Sequence, residues 1–268
     1  MRSLIKFFLL TYFVSWTIWA MAVNISGGIV ATPSGLAVIS KLLILLGTFA
    51  PALVALALTA QADGRVGVLR LLRQIIIFPA GVRWYAFAIG YMVAIKVGVA
   101  LTYRVATGAW PALGQLPWYI MAIAIAFSTP VQAGEEIGWR GYALPRLAKD
   151  LGFAQASIVL GILWSCWHLP FFFIPGSDNY GQPFPAFLLA VTALSVAMAW
   201  LYLRTNGSLF LIMLMHAAID NTAGIVSSPA STGTNPFAIN VSPIAWLTAA
   251  LLCIGAAYFL IRMRPAKD

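Results

Sequence analysis

The feature that most limits what this chain can fold into is the recurrence of apolar runs about twenty residues long. They fall at about 7–28, 39–60, 84–103, 117–136, 154–174, 184–203, 208–226 and 244–261. A helix of ~20 apolar residues is what crosses the ~30 Å hydrocarbon core of a bilayer. Outside the runs too few polar groups remain to cover a water-facing surface. Only 9% of the 268 residues are charged, against about a quarter in an ordinary soluble domain. The expectation is all-α: a polytopic transmembrane helix bundle of about eight spans, a single domain over 1–268, with its polar site within the bundle. The first run, Phe7 to Val30, is too long for a signal-peptide core and lacks a small-residue cleavage site, so no cleaved leader is expected.

The net charge of +9 invites a nucleic-acid reading, but its distribution points elsewhere. With the N-terminus in the cytoplasm, one side receives Arg2, Lys6, the basic cluster of 65–83, Arg140, Arg146, Lys149, Arg204, Arg262, Arg264 and Lys267. That is thirteen of the sixteen basic residues. Such a bias orients a protein in the cell membrane with both termini cytoplasmic. It also suits contact with anionic headgroups. The partners expected are the lipid bilayer and a membrane-associated protein or peptide, with no nucleic acid. The segment 61–83 alternates basic and apolar residues and reads as an interfacial helix, as does 141–153. Stretches 174–183 and 227–243, rich in Gly, Pro, Ser and Asn, read as loops. Cys166 and Cys253 lie within spans, as core thiols.

The chain has seven acids and two histidines, and three of those acids and both histidines fall within apolar spans. Ionisable groups in a membrane are expensive and default to function. They form three pairs at i,i+4 spacing, which places each pair on one helix face. In "EEIGWR", Glu136 precedes Arg140 in the favourable order for an ion pair, so the two read as a structural clamp. Glu135 points about 100° away and has no sequence-local cation, which marks it as the working carboxylate. In "WSCWHLP", Trp164 and His168 share a face, and Pro170 can open room near the imidazole. In "LMHAAIDN", Asp220 can orient His216 and fix its tautomer, while Asn221 points elsewhere. Lys96, near the middle of its run, reads as an interface residue. Each pair alone has a bland reading: solvated interfacial acids, a core histidine, a polar helix contact. Together, on three helices, they can meet only inside a bundle. Glu135 and His168 are suited to hold a water with the carboxylate as base, and His216 to donate to a developing oxyanion.

The three motifs resemble those of the CPBP family: Glu-Glu-x-x-x-Arg at Glu135, Glu136 and Arg140, aromatic-x-x-x-His at Trp164 and His168, and His-x-x-x-Asp/Asn at His216 and Asp220. These are intramembrane CAAX-type proteases and bacteriocin-processing (Abi) enzymes related to the type II CAAX prenyl endopeptidase. The motif-bearing core, about 117–226, carries the resemblance. It implies an endopeptidase in which Glu135 activates water with His168, His216 and Asp220 stabilise the oxyanion, and Glu136, Arg140 and Trp164 give structural support. Two positions depart from the family pattern. Trp164 stands where Phe is commoner, and Asp220 where some members have Asn. An ionised Asp cannot donate a hydrogen bond, so Asp220 must be protonated or act through His216.

The family has often been described as metalloproteases, and Glu135, His168, His216 and Asp220 are a plausible zinc set. No HExxH helix is present, and the resemblance to structurally studied relatives implies metal-free glutamate chemistry; no cofactor is expected, with zinc as the alternative. Two other classes compete: a non-catalytic scaffold or self-immunity protein, and a proton-coupled transporter. Intact Glu135, His168 and His216 argue against the first. The clustering of the polar groups, without an internal repeat, argues against the second.

Overall fold

A computed structural model describes residues 2–26, 35–228, 235–239 and 242–263, the side chains of 26 and 35–37 excepted. Arg264, Lys267 and parts of the 227–243 stretch lie outside the described residues. Among the described residues ten α-helices follow in order: α1 (Arg2–Ser26), α2 (Gly35–Thr48), α3 (Ala50–Arg73), α4 (Val82–Thr107), α5 (Trp118–Ser128), α6 (Ala133–Glu136), α7 (Leu144–Trp167), α8 (Phe184–Arg204), α9 (Leu209–Thr222) and α10 (Pro243–Met263). Among the described residues no strand forms; one isolated bridge joins Leu113 and Val226. The protein is a multi-pass helical membrane bundle. Among the described residues six segments are long and apolar enough to span, and Val38–Thr48 and Leu209–Ile225 are shorter apolar helices.

The expected runs are helical but divided differently from the sequence reading. The run 39–60 is split at Phe49, where α2 hands over to α3 with Pro51 in the first turn. The runs 117–136 and 154–174 belong to one helical stretch of 50 residues, Trp118–Trp167. Unbroken, it would reach ~75 Å, far beyond a bilayer. It breaks at Gly152 (φ 73°, ψ 160°), as α3 breaks at Gly64 (φ 60°, ψ −160°). Both conformations are accessible to glycine and strained for other residues. Past Gly64 the helix carries Arg65, Arg70 and Arg73 outside the core with Leu71 buried, the pattern of an interfacial helix. The companion segment 141–153 begins differently: Gly141, Tyr142, Ala143 and Leu144 are buried and belong to the core.

α8 is the most enclosed of the spanning helices, packed between α7 and α10. α9 lies among α4, α5 and α8. α1 closes the back of the bundle with an aromatic block. Phe7 and Phe8 meet Trp139, and Trp19 meets Trp167 with ring centroids 4.7 Å apart. Trp167 donates its indole N–H to Ser15 Oγ at 2.9 Å, which gives a buried indole the polar partner it needs.

Between α5 and α7 the chain leaves ordinary α geometry. A 3₁₀ turn, Thr129–Gln132, leads into the single turn of α6, and Ile137–Ala143 is π-helical. Every residue from Gly134 to Leu144 is buried. π segments are rare and recur at functional sites. This one holds Trp139 and Arg140.

Candidate active site

Glu135, Glu136, Arg140, Trp164 and His216 are at most 5% exposed, and Trp164 and Glu136 link them into one cluster. Trp164 is the hub. Its indole N–H donates to Glu135 Oε2 at 2.7 Å. The Arg140 guanidinium lies over its ring, 4.1 Å from the centroid. His168 and His216 meet the ring edge-on, with centroids 5.9 and 5.2 Å away. Phe at this position would keep the ring contacts and lose the donor.

The two adjacent glutamates have separate partners, as their 100° divergence on a helix requires. Glu136 Oε1 accepts from Arg140 Nη1 at 2.9 Å and lies 2.7 Å from His216 Nδ1. Arg140 also reaches Met198 Sδ at 3.3 Å. Glu135 Oε2 accepts from two indoles, Trp164 and, at 3.2 Å, Trp139. The carboxylate without a local cation is thus held by neutral donors.

These bonds fix the imidazole tautomers. An ionised carboxylate only accepts, so His216 Nδ1, facing the ion-paired Glu136, carries a proton. His168 Nδ1 lies 2.9 Å from the Trp164 carbonyl, which also only accepts. Neutral His168 is therefore protonated at Nδ1 and has a free lone pair on Nε2. α7 ends at Trp167, and the 3₁₀ turn Leu169–Phe172 with Pro170 follows. His168 is left half-buried at that junction.

Asp220 shares a face with His216 as expected, but it stands off the ring. Its Oδ2 is 3.7 Å from His216 Nε2 and its side chain is 51% exposed, while Gln132 donates to it at 2.8 Å. Glu136, at 2.7 Å, is the nearer carboxylate to His216 and the one that faces its Nδ1. The reason lies in the fold: α6 packs against α9, and this brings Glu136 closer to the ring than the i+4 neighbour stands. Asn221 does point away, donating to Ser128 Oγ at 2.9 Å and to the Ala217 carbonyl at 2.8 Å. Gln132 and Trp139 have no place in the sequence reading. For Trp139 the signal is there, since it stands at i+4 from Glu135 as Arg140 does from Glu136. For Gln132 it is only a polar residue near the end of an apolar run.

A cavity of about 710 Å³ adjoins the cluster. Trp164, His168, His216 and Asp220 line it, and it extends beneath Gly176–Asn179, Gln182 and Ser228. Glu135, His168, His216 and Asp220 are the residues that a zinc ion would need. Glu135 Oε2, His168 Nδ1, His216 Nδ1 and Asp220 Oδ2 are each engaged with a protein partner. Among the described residues, no three His, Cys, Asp or Glu side chains gather at ligand spacing.

Residues 115–222 match the family model described as type II CAAX prenyl endopeptidase Rce1-like. CAAX prenyl protease 2 of Methanococcus maripaludis is 33% identical over 93 residues, covering 32% of this chain and 34% of that protein. The chain thus aligns with about a third of the length of that curated relative. The matched stretch of this chain holds every residue of the cluster, from Gln132 to Asp220. Over residues 115–222, in the stretch that carries the three motifs, the chain is thus similar to CAAX prenyl endopeptidases.

Proposed function

We propose that this chain is an intramembrane endopeptidase that hydrolyses a peptide bond of a membrane-associated protein or peptide, with water activated by Glu135. The observation that carries the reading is the setting of Trp164. One indole holds the Glu135 carboxylate, shields the Arg140–Glu136 pair and touches both histidines, next to a peptide-sized cavity. The archaeal relative's name brings prenylated CAAX-type proteins to this chain as a substrate class.

In this mechanism a water sits between Glu135 and the free Nε2 of His168. As its oxygen attacks the peptide carbonyl carbon, Glu135 takes its proton. The resulting oxyanion accepts a hydrogen bond from His216 Nε2, which is protonated when the ring is an imidazolium already anchored to Glu136. Asp220, held by Gln132 and facing the same nitrogen, acts through His216. Collapse breaks the C–N bond, and the proton on Glu135 passes to the leaving amine. The products are one carboxylate and one amine, and one water is consumed.

The test is quantitative proteomics on membranes carrying wild-type or Glu135→Gln protein. A membrane-associated protein shortened only by the wild type is expected. Identical termini in both samples overturn the reading. Purified activity is expected to survive strong chelators, because zinc needs deprotonated ligands held at once. Stoichiometric zinc that tracks activity would sink the metal-free step but leave the site in place.

A further inference from the structure

Lys96 lies in the middle of α4, a 26-residue spanning helix. A lysine at such depth costs about 2.5–3.5 kcal/mol on insertion scales and calls for a partner. Lys96 is 5% exposed, and its only hydrogen bond among the described residues runs to the Val226 carbonyl at 3.4 Å. No Asp or Glu among the described residues lies within ion-pair distance of it. An ammonium has three donors. One long bond to a carbonyl ties α4 to the chain after α9, but it leaves the charge uncompensated.

Lys96 also lines the cavity that His168, His216 and Asp220 line, and it is the sole lysine or arginine among the lining residues. The lining carboxylates, Asp178 and Asp220, disfavour an anion near them. A ligand bearing a carboxylate is therefore steered to one place in this cavity. Lys96 lies outside residues 115–222, so the family match assigns it nothing.

We propose that Lys96 is the carboxylate-binding residue of the substrate cavity, anchoring a carboxylate of the bound peptide. This rests on the endopeptidase reading above. The carboxylate has two sources, the peptide's free C-terminus or an acidic side chain, and both present the same group to the ammonium.

The experiment measures anisotropy of a short, N-terminally labelled apolar peptide bound to the full-length chain in detergent, with Glu135→Gln to prevent turnover. The peptide is made as the free acid, as the C-terminal amide, and as the amide with one glutamate. The free acid is expected to bind about tenfold or more tighter than the amide, the scale of a charge-assisted hydrogen bond. Lys96→Met should erase that difference and Lys96→Arg should keep most of it. Tight binding by the glutamate-bearing amide assigns the side-chain source; weak binding assigns the C-terminus. Equal binding of the free acid, the amide and the glutamate-bearing amide to the Lys96 protein overturns the proposal. So does a difference that persists in Lys96→Met, or no binding by any peptide. If Lys96→Met does not fold, the acid-to-amide ratios of the Lys96 protein and the Lys96→Arg variant still decide. Acid-selective binding without cleavage by the Glu135 protein would sink the hydrolase reading alone. Cleavage indifferent to the carboxylate would sink the Lys96 anchor alone.

Discussion

On the ionic side of the site, Glu136 meets the Arg140 guanidinium and the His216 imidazole through one oxygen, with glutamate and arginine fully buried. On the indole side, Glu135 is one residue away, and its hydrogen bonds among the described residues come from two tryptophan N–H groups. The two acids share a residue type and a helical turn, yet their surroundings are opposite. The first arrangement locks a charge in place, since removing either partner strands the other in a low-dielectric interior. The second holds a carboxylate in position without a cation to fix its charge, which is what a group that takes up and releases a proton requires. On the proposed reading, environment rather than residue type separates the structural acid from the working one.

The largest expected effects come from exchanging these roles. Glu135→Gln keeps the hydrogen-bonding shape and removes the base, so it is expected to fold normally and lose about 10²- to 10⁴-fold in activity. Glu136→Ala and Arg140→Ala each strand a buried charge and are expected to cost about 3–5 kcal/mol of stability, read as lower yield and earlier thermal unfolding in detergent. A double replacement by Gln and Met at 136 and 140 should recover much of that stability, yet leave His216 without its carboxylate and activity low. If Glu135→Gln unfolds while Glu136→Ala folds without activity, the two sides have been assigned the wrong way round.

A smaller effect isolates the indole side. Trp164→Phe retains a ring beneath Arg140 and beside both histidines, but deletes the 2.7 Å bond to Glu135. The loss of one donor to a charged acceptor is worth about 1.5–3 kcal/mol, so activity should fall about tenfold or more with modest change in stability. Unfolding on the scale of Arg140→Ala would instead make Trp164 part of the ionic side.

The within-helix half of the site is legible in the sequence, because i,i+4 spacing is a local rule. Glu136–Arg140 and Trp164–His168 form contacts as spaced, and His216 and Asp220 do share a face. The between-helix half is not legible. Glu136 reaches His216 across 80 residues, Glu135 reaches Trp164 across 29, and Asp220 reaches Gln132 across 88. Those contacts depend on how α6, α7 and α9 pack, which spacing along one helix does not encode. For that reason spacing alone makes Asp220, rather than Glu136, the partner of His216. The spans are legible from length and hydropathy, while their breaks are harder. Gly64 and Gly152 resemble tolerated helix glycines until their positive φ is seen. Lys96 carries a signal in its central depth in α4, but the cavity that it lines is visible only in the fold.

The smallest effect sharpens the comparison within the indole side itself. Trp139 donates to the same oxygen of Glu135 as Trp164, but at 3.2 Å rather than 2.7 Å. A hydrogen bond weakens as it lengthens, so Trp139 is the lesser holder of the carboxylate. It has a second duty that Trp164 lacks. Its ring is fully buried against Phe7, Phe8 and Trp167, and it joins the π-helical segment to α1. Trp139→Phe therefore divides its effect. Loss of the long bond should lower activity by only a few-fold, while the smaller ring leaves a gap in the aromatic block, costing about 1–3 kcal/mol. Measured side by side, Trp164→Phe should act mainly on the rate and Trp139→Phe mainly on the melting temperature. Equal losses of rate in the two would mean that Glu135 is held symmetrically by both indoles, and that the shorter bond confers no special role on Trp164.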